Sequence, residues 1–177
     1  MNKETKSPYK HILFSELQHQ KHIYPSEAQK KNGQYLKYRF DLSFLLPTPI
    51  DIENLRGQTR KGIDSYGNTW KTKMIDHYGY FVDTYGNDGD EVDVFINYDA
   101  TESEIIERPI FTIKQVETTG EDVGKYDEDK VVLGAKDSNH AKRIYLRNYS
   151  LGWQGVGAVK EVKDINHFLE TSACRTF

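Results

Sequence analysis

A chain of 177 residues suits one domain with an appended arm and is long enough to bury a sizeable core. Its formal net charge of -3 argues against nucleic-acid binding by bulk electrostatics, while leaving room for a local basic pocket. The single cysteine, Cys174, rules out an internal disulfide and a cysteine-based metal site, and neither a signal peptide nor a membrane-length apolar run occurs, so a cytoplasmic protein without membrane contact is expected.

Residues 1–32 show no sustained hydrophobic period and read as an arm, with a short helix around Ile12 to Gln20. His19 and His22 stand three apart among lysines 21, 30 and 31, and are read as exposed polar residues rather than metal ligands. The main domain is expected over 33–177. Tyr35 to Phe40 alternates weakly, and Pro47 and Pro49 then break the chain. Ile50-Asp51-Ile52-Glu53 puts both isoleucines on one face and both acids on the other, as a half-buried strand does. Gly67-Asn68 signals a hairpin turn between Arg60-Lys61-Gly62 and a returning strand from Thr69 to Met74.

Tyr78 to Val82 reads as a further strand, and Tyr85-Gly86-Asn87-Asp88-Gly89 as a turn. Val92 to Ile96 is the clearest strand, followed by Pro109 to Val116 and Lys130 to Leu133. Ala141, Ile144, Tyr145 and Asn148 share one face of a helix that Asp137 or Ser138 can cap. Ile165, Phe168 and Leu169 form a second stripe after Asp164. Short strands followed by late helices predict a mainly β domain with flanking helices, of the α+β class, arranged as a small barrel or sandwich.

The chemistry concentrates in Asp88-Gly89-Asp90-Glu91-Val92-Asp93. Asp88 and Asp90 project to one side of an extended segment, and a turn at Gly89 to Glu91 can bring Asp93 to join them. Three carboxylates about 5 Å apart repel by ~3 kcal/mol per pair at an effective dielectric near 20, so such a cluster calls for a cation. Oxygen ligands without Cys or His suit Mg²⁺ or Mn²⁺ better than zinc, and the spacing is not that of an EF-hand loop. An acidic turn leading into a strand is common on protein surfaces, and the acids alone do not separate the two readings.

Their surroundings do. Asp88 to Val94 resembles the soluble inorganic pyrophosphatase signature: Asp, a small residue, Asp, Pro or Glu, an aliphatic, Asp, an aliphatic. His77-Tyr78-Gly79-Tyr80 just upstream is similar to that family's Asn-Tyr-Gly-Tyr segment. Glu53, Arg60, Trp70, Asp127 to Gly134 and Asn148-Tyr149 extend the resemblance over about residues 33–163, with its nearest likeness in the pyrophosphatase-like domains of phage and mobile-element polyvalent proteins. The resemblance implies a five-stranded OB-like barrel flanked by helices. It also implies that Asp88 and Asp93 hold Mg²⁺, that Asp90 positions and deprotonates the attacking water, and that Glu53 meets a metal through water. Arg60 and Lys130 match phosphate-binding residues, and Tyr78 and Tyr149 the tyrosines that line the site, Tyr78 on the catalytic side.

Three departures stand out. The later metal-binding aspartate is Glu128 here, with Asp127 or Asp129 as substitutes. The lysine after the late tyrosine is Ser150. The basic residue before Tyr-Gly-Tyr is either Lys71 or Lys73, of which Lys73 is taken as the substrate contact. Trp70 and Trp153 are read as packing residues, and Lys61, Lys125 and Lys142 as solvated. The expected partner is a small phosphate-containing substrate, inorganic pyrophosphate first and a nucleotide-derived pyrophosphate second. A non-catalytic protein that engages a host factor through the arm is a third reading, and a homo-oligomer stays open because the matched motifs carry no interface.

Overall fold

The computed structural model describes residues 9–18, 37–42, 45–64 and 66–172. His19, His22, lysines 21, 30 and 31, and Cys174 lie outside them. The strands are β1 Tyr9–Ile12, β2 Lys37–Phe40, β3 Ile50–Asn54, β4 Thr59–Ile63, β5 Thr69–Lys73, β6 His77–Phe81, β7 Asp93–Ile96, β8 Ile110–Val116, β9 Tyr126–Leu133 and β10 Val156–Val162. The helices are α1 Phe14–Leu17, α2 Glu102–Glu107, α3 Ser138–Arg147 and α4 Ile165–His167, which continues as a π-helical turn over Phe168–Ser172. Among the described residues no helix is long and apolar enough to cross a membrane.

Eight strands share one sheet in the order β1-β2-β3-β6-β7-β9-β8-β10, and β4 with β5 forms a separate hairpin. The pairs β1/β2 and β7/β9 are parallel, and the other pairs are antiparallel. The mainly β, α+β class holds. The sheet is open, because its outermost strands do not pair with each other among the described residues, and a closed five-stranded OB-like barrel is not confirmed. β1 lengthens one edge and β10 the other. β10 escapes sequence reading because Gly157 and the pair Lys160-Glu161 leave no clean alternation across Val156–Val162.

Part of the segment read as an arm is built into the core. β1 pairs with β2, and Ile12, Phe14 and Leu17 are buried beside Phe40, Ile50, Val94 and Ile105. Gln18 Nε2 donates to the Tyr98 carbonyl at 3.1 Å. His77 Nδ1 accepts from the Arg56 amide at 3.1 Å, so its Nε2 carries the proton and donates to Gln18 Oε1 at 3.0 Å. α2 also goes unpredicted, although Thr101 and Glu104 form a reciprocal capping box that is visible as Thr-x-x-Glu.

The sheet separates two apolar clusters. Ile52, Val92, Val94, Ile96, Val131 and Leu133 face one with α1 and the C-terminal helix, as alternation in β3 and β7 predicts. Tyr78, Phe95, Phe111, Ile113 and Val132 face the other, closed by Ala141, Ile144 and Tyr145 of α3. A fully buried Asp76 pins α3 to the start of β6. It accepts from Arg147 Nε at 2.8 Å and Nη2 at 2.5 Å, from Asn148 Nδ2 at 2.7 Å and from the Tyr98 amide at 2.9 Å. Asn148 Oδ1 returns bonds to the Ile75 and Asp76 amides. Gly79 allows β6 to lie against β3, since a Cβ there would sit 2.0 Å from the Asp51 carbonyl.

Two changes test this arrangement by urea unfolding. Leu17→Ala is expected to cost about 2–5 kcal/mol, as for a packed leucine, and an unchanged midpoint would remove α1 from the core. Asp76→Ala should cost about 1–3 kcal/mol, because the Tyr98 amide and Asn148 Nδ2 lose a buried acceptor while Arg147 keeps Asp99 and Asn97.

Candidate active site

The face of the sheet under α3 gathers the functional side chains of β6, β7 and β9. β6 pairs Tyr78 with Phe95, so Tyr78, Phe95 and Asp93 point to the same side. β7 and β9 run parallel with Val94 opposite Val131, and one step back along that register Asp93 meets Lys130. Alternation along β9 puts Glu128 on the same side as Lys130 and turns Asp129 to the other.

The Tyr78 hydroxyl is the centre. It donates to Asp93 Oδ2 at 2.5 Å and accepts from Arg60 Nη2 at 2.8 Å and Lys130 Nζ at 3.3 Å. Lys130 also ion-pairs with the same Asp93 oxygen, and with Glu128 Oε1 at 2.6 Å, although only 2% of its side chain is exposed. Burial works against that charge, and Tyr78, Asp93, Tyr149 and Glu128 around it outweigh the penalty and raise its pKa. Tyr78 is fully buried, and burial drives its phenol well above the ordinary range, so it stays neutral. Tyr78 therefore serves both the core and the site. Its proton is committed to Asp93, which makes it a link among charged groups.

Arg60 lies on the Tyr78 ring, 4.2 Å from its centroid, and 5.1 Å from the centroid of Trp70. Burial disfavours its charge, and Tyr78, Tyr149, Asp93 and Glu53 nonetheless raise its pKa, which places Glu53 within electrostatic reach. Hairpin register decides which cations can join it. Arg60 pairs with Thr72 and Gly62 with Trp70, so these four share one face. Lys61, Lys71 and Lys73 occupy the opposite face, away from Arg60.

Two of the expected site acids are the extra residues of β-bulges. Ile52 opposes Gly79 and Asn54 opposes Tyr78, which leaves Glu53 without a counterpart on β6. Gln115 opposes Glu128 and Val116 opposes Tyr126, which leaves Asp127 as the extra residue of β9. Such a bulge re-aims its side chain. Asp127 and Glu128, adjacent in sequence, thereby reach the same Gln115 amide at 3.0 and 3.2 Å. Asp129 bonds instead to Tyr126 on the far side.

Burial first, with Asp93 and Asp88 adding, pushes the Glu128 carboxyl up to about 7 against the pull of Lys130. Asp88 is raised as well, chiefly by partial burial, with Asp90 and Asp93 contributing. Asp88 and Asp90 stand exposed at the rim, where the Asp90 amide donates to Asp88 Oδ1 at 3.1 Å. Asn87 Nδ2 donates to the Asp127 carbonyl at 3.1 Å and ties this turn to β9. Tyr149 completes the wall, stacked on Trp153 at 4.7 Å and 9°.

Among the described residues no three His, Cys, Asp or Glu side chains form a ready cage for a metal ion. The donor set still fits a hard divalent cation in kind. Asp93 and Glu128 already share one positive charge, the Lys130 ammonium, and Asp88 lies within electrostatic reach of both. Gln115 is the residue that sequence reading misses, since a lone glutamine in a strand carries no signal.

A family model described as Inorganic Pyrophosphatase matches residues 27–170. The match is to the family as a whole and does not single out a phage or mobile-element branch. No curated protein and no solved structure matches the chain.

Lys130→Met should leave Asp93 and Glu128 buried without their cation. In EDTA, a loss of about 3–5 kcal/mol in urea unfolding is expected, and parental stability would show that the ion pairs contribute nothing.

Proposed function

This chain belongs to the inorganic pyrophosphatase family, and from that premise we propose that it hydrolyses inorganic pyrophosphate to two phosphates by direct attack of water in the presence of Mg²⁺. The observation that carries this reading is the convergence on one hydroxyl, that of Tyr78, of a carboxylate, an ammonium and a guanidinium.

Asp88 and Asp93, with Glu128 and Asp127 beside them, are the groups that would hold Mg²⁺, Glu53 approaching through water. Mn²⁺ satisfies the same oxygen ligands. The cation supplies neutralisation of phosphate oxygens and lowers the pKa of a water. Arg60 and Lys130 bind the phosphate that leaves and offset the charge that develops on it. Asp90, exposed at the rim beside Asp88, takes the proton of the attacking water. Tyr78 holds Arg60, Lys130 and Asp93 in register, and Tyr149 lines the opposite wall.

A second reading has its own support. Lys71 and Lys73 face away from Arg60, Ser150 stands where the resemblance expects a lysine, and Trp70 leaves 37% of its surface exposed beside Arg60. Fewer cations and an aromatic face suit a nucleotide-derived pyrophosphate, in which a base offsets the lost charge contacts.

Phosphate release is the test. With pyrophosphate and Mg²⁺, turnover is expected to stop in EDTA and to fall about 10²–10⁴-fold in Asp90→Asn. Release from a nucleoside diphosphate derivative but not from pyrophosphate would select the second reading. No release from either substrate, in protein shown to be folded, would overturn both.

A further inference from the structure

We propose that Gln115 is a positioning residue of this site, one that fixes Asp127 and Glu128 of the acidic end of β9 relative to Tyr149 beyond α3. The proposal deepens the pyrophosphatase reading and rests on it.

Gln115 lies on β8, only 8% exposed, on the sheet face that carries Phe111, Ile113 and the site. Its Oε1 accepts from the Tyr145 hydroxyl at 2.7 Å and from the Tyr149 hydroxyl at 2.9 Å. Its Nε2 donates to Asp127 Oδ2 at 3.0 Å and to Glu128 Oε1 at 3.2 Å. An amide offers two acceptor lone pairs and two N–H donors, so every valence of this side chain is used. The amide orientation is fixed by its neighbours. Turning it over would set its oxygen against two carboxylates, whereas the tyrosine hydroxyls tolerate either partner.

The bonds have a direction. Trp153 Nε1 donates to the Tyr145 hydroxyl at 2.9 Å, Tyr145 and Tyr149 donate to Gln115, and Gln115 donates to the acids. The donor end of this relay reaches the two carboxylates that the bulge at Asp127 brings to one side. Glu128 Oε1 is shared with Lys130, and Asp127 also shares a side-chain hydrogen bond with Glu117. No apolar side chain can make both sets of bonds. A glutamate at this position keeps the acceptor for the tyrosines and loses both donors to the acids.

The test uses the full chain and three measurements. Steady-state kcat and KM are taken for pyrophosphate with Mg²⁺, Mg²⁺ affinity by calorimetry without substrate, and stability by urea unfolding. Loss of an outer-shell partner typically costs 10–100-fold in metal affinity or activity. Gln115→Met is expected to weaken Mg²⁺ binding and lower kcat within that range, and Gln115→Glu, which exchanges both donors for a further carboxylate, to lower kcat within it, each with a smaller change in KM. In a double-mutant cycle, Tyr149→Phe and Gln115→Met should be non-additive in kcat, because the two act through one hydrogen bond. Should Gln115→Met fail to fold, Gln115→Glu decides. Parental kcat and Mg²⁺ affinity in either folded variant would overturn the proposal. A parent that binds Mg²⁺ without turning over pyrophosphate would sink the substrate reading, while the affinities would still judge Gln115. A parent that neither binds Mg²⁺ nor turns over would overturn both.

Discussion

A lysine ammonium with 2% of its side chain in contact with solvent has to be compensated, and much of this molecule is arranged around that constraint. Lys130 sits at mid-strand in β9, where burial by itself works against its charge. Asp93 and Glu128 supply the counter-charge, and the Tyr78 hydroxyl supplies a further acceptor. Arg60 adds a second cation on the face of the same tyrosine ring. The result is a compact set of opposite charges set against an apolar floor of Phe95, Ile113 and Val132. In so dry a setting electrostatic interactions are strong, which suits both the retention of a cation and the binding of a multiply charged phosphate.

The scaffold that holds this set is itself polar and buried. Asp76 stands two residues before Tyr78, and Asn148 one residue before Tyr149. The Asp76–Arg147–Asn148 network therefore places both site tyrosines through residues one or two positions before them. Gln115 works on the other side of the same wall and joins Tyr149 to the acidic end of β9. Two networks thus meet at Tyr149, one fixing its backbone and one its hydroxyl. Neither network includes Asp88 or Asp90, which stay at the exposed rim where a substrate and its water would enter.

Much of the strand framework is legible in the sequence, because β7 is a short apolar run and the isoleucines of β3 alternate with acids. The α3 helix and its cap at Asp137 follow from period and chemistry alike. β1 and β10 are not legible. Each is an edge strand whose partners lie far away in the chain, and its own residues show no clean alternation. The acids and tyrosines of the site are legible as residue types and spacing. The separation of Asp127 from Asp129, and of Arg60 from Lys71 and Lys73, is not.

The sequence by itself determined the acidic signature, the Tyr-Gly-Tyr segment before it and the late tyrosine, since these are local patterns of residue type. Tertiary structure alone decided which of them meet. Parallel pairing of β7 with β9 sets Asp93 beside Lys130, 37 residues away. A bulge at Asp127 turns two neighbouring carboxylates to one side, and a bulge at Glu53 removes it from the alternation of β3. Hairpin register turns Arg60 toward the site and three lysines away from it. Each of these is a choice of one residue in strand pairing, and a shift of one residue reverses the face a side chain occupies. Partner strands fix that choice, and their contribution is invisible in the segment itself.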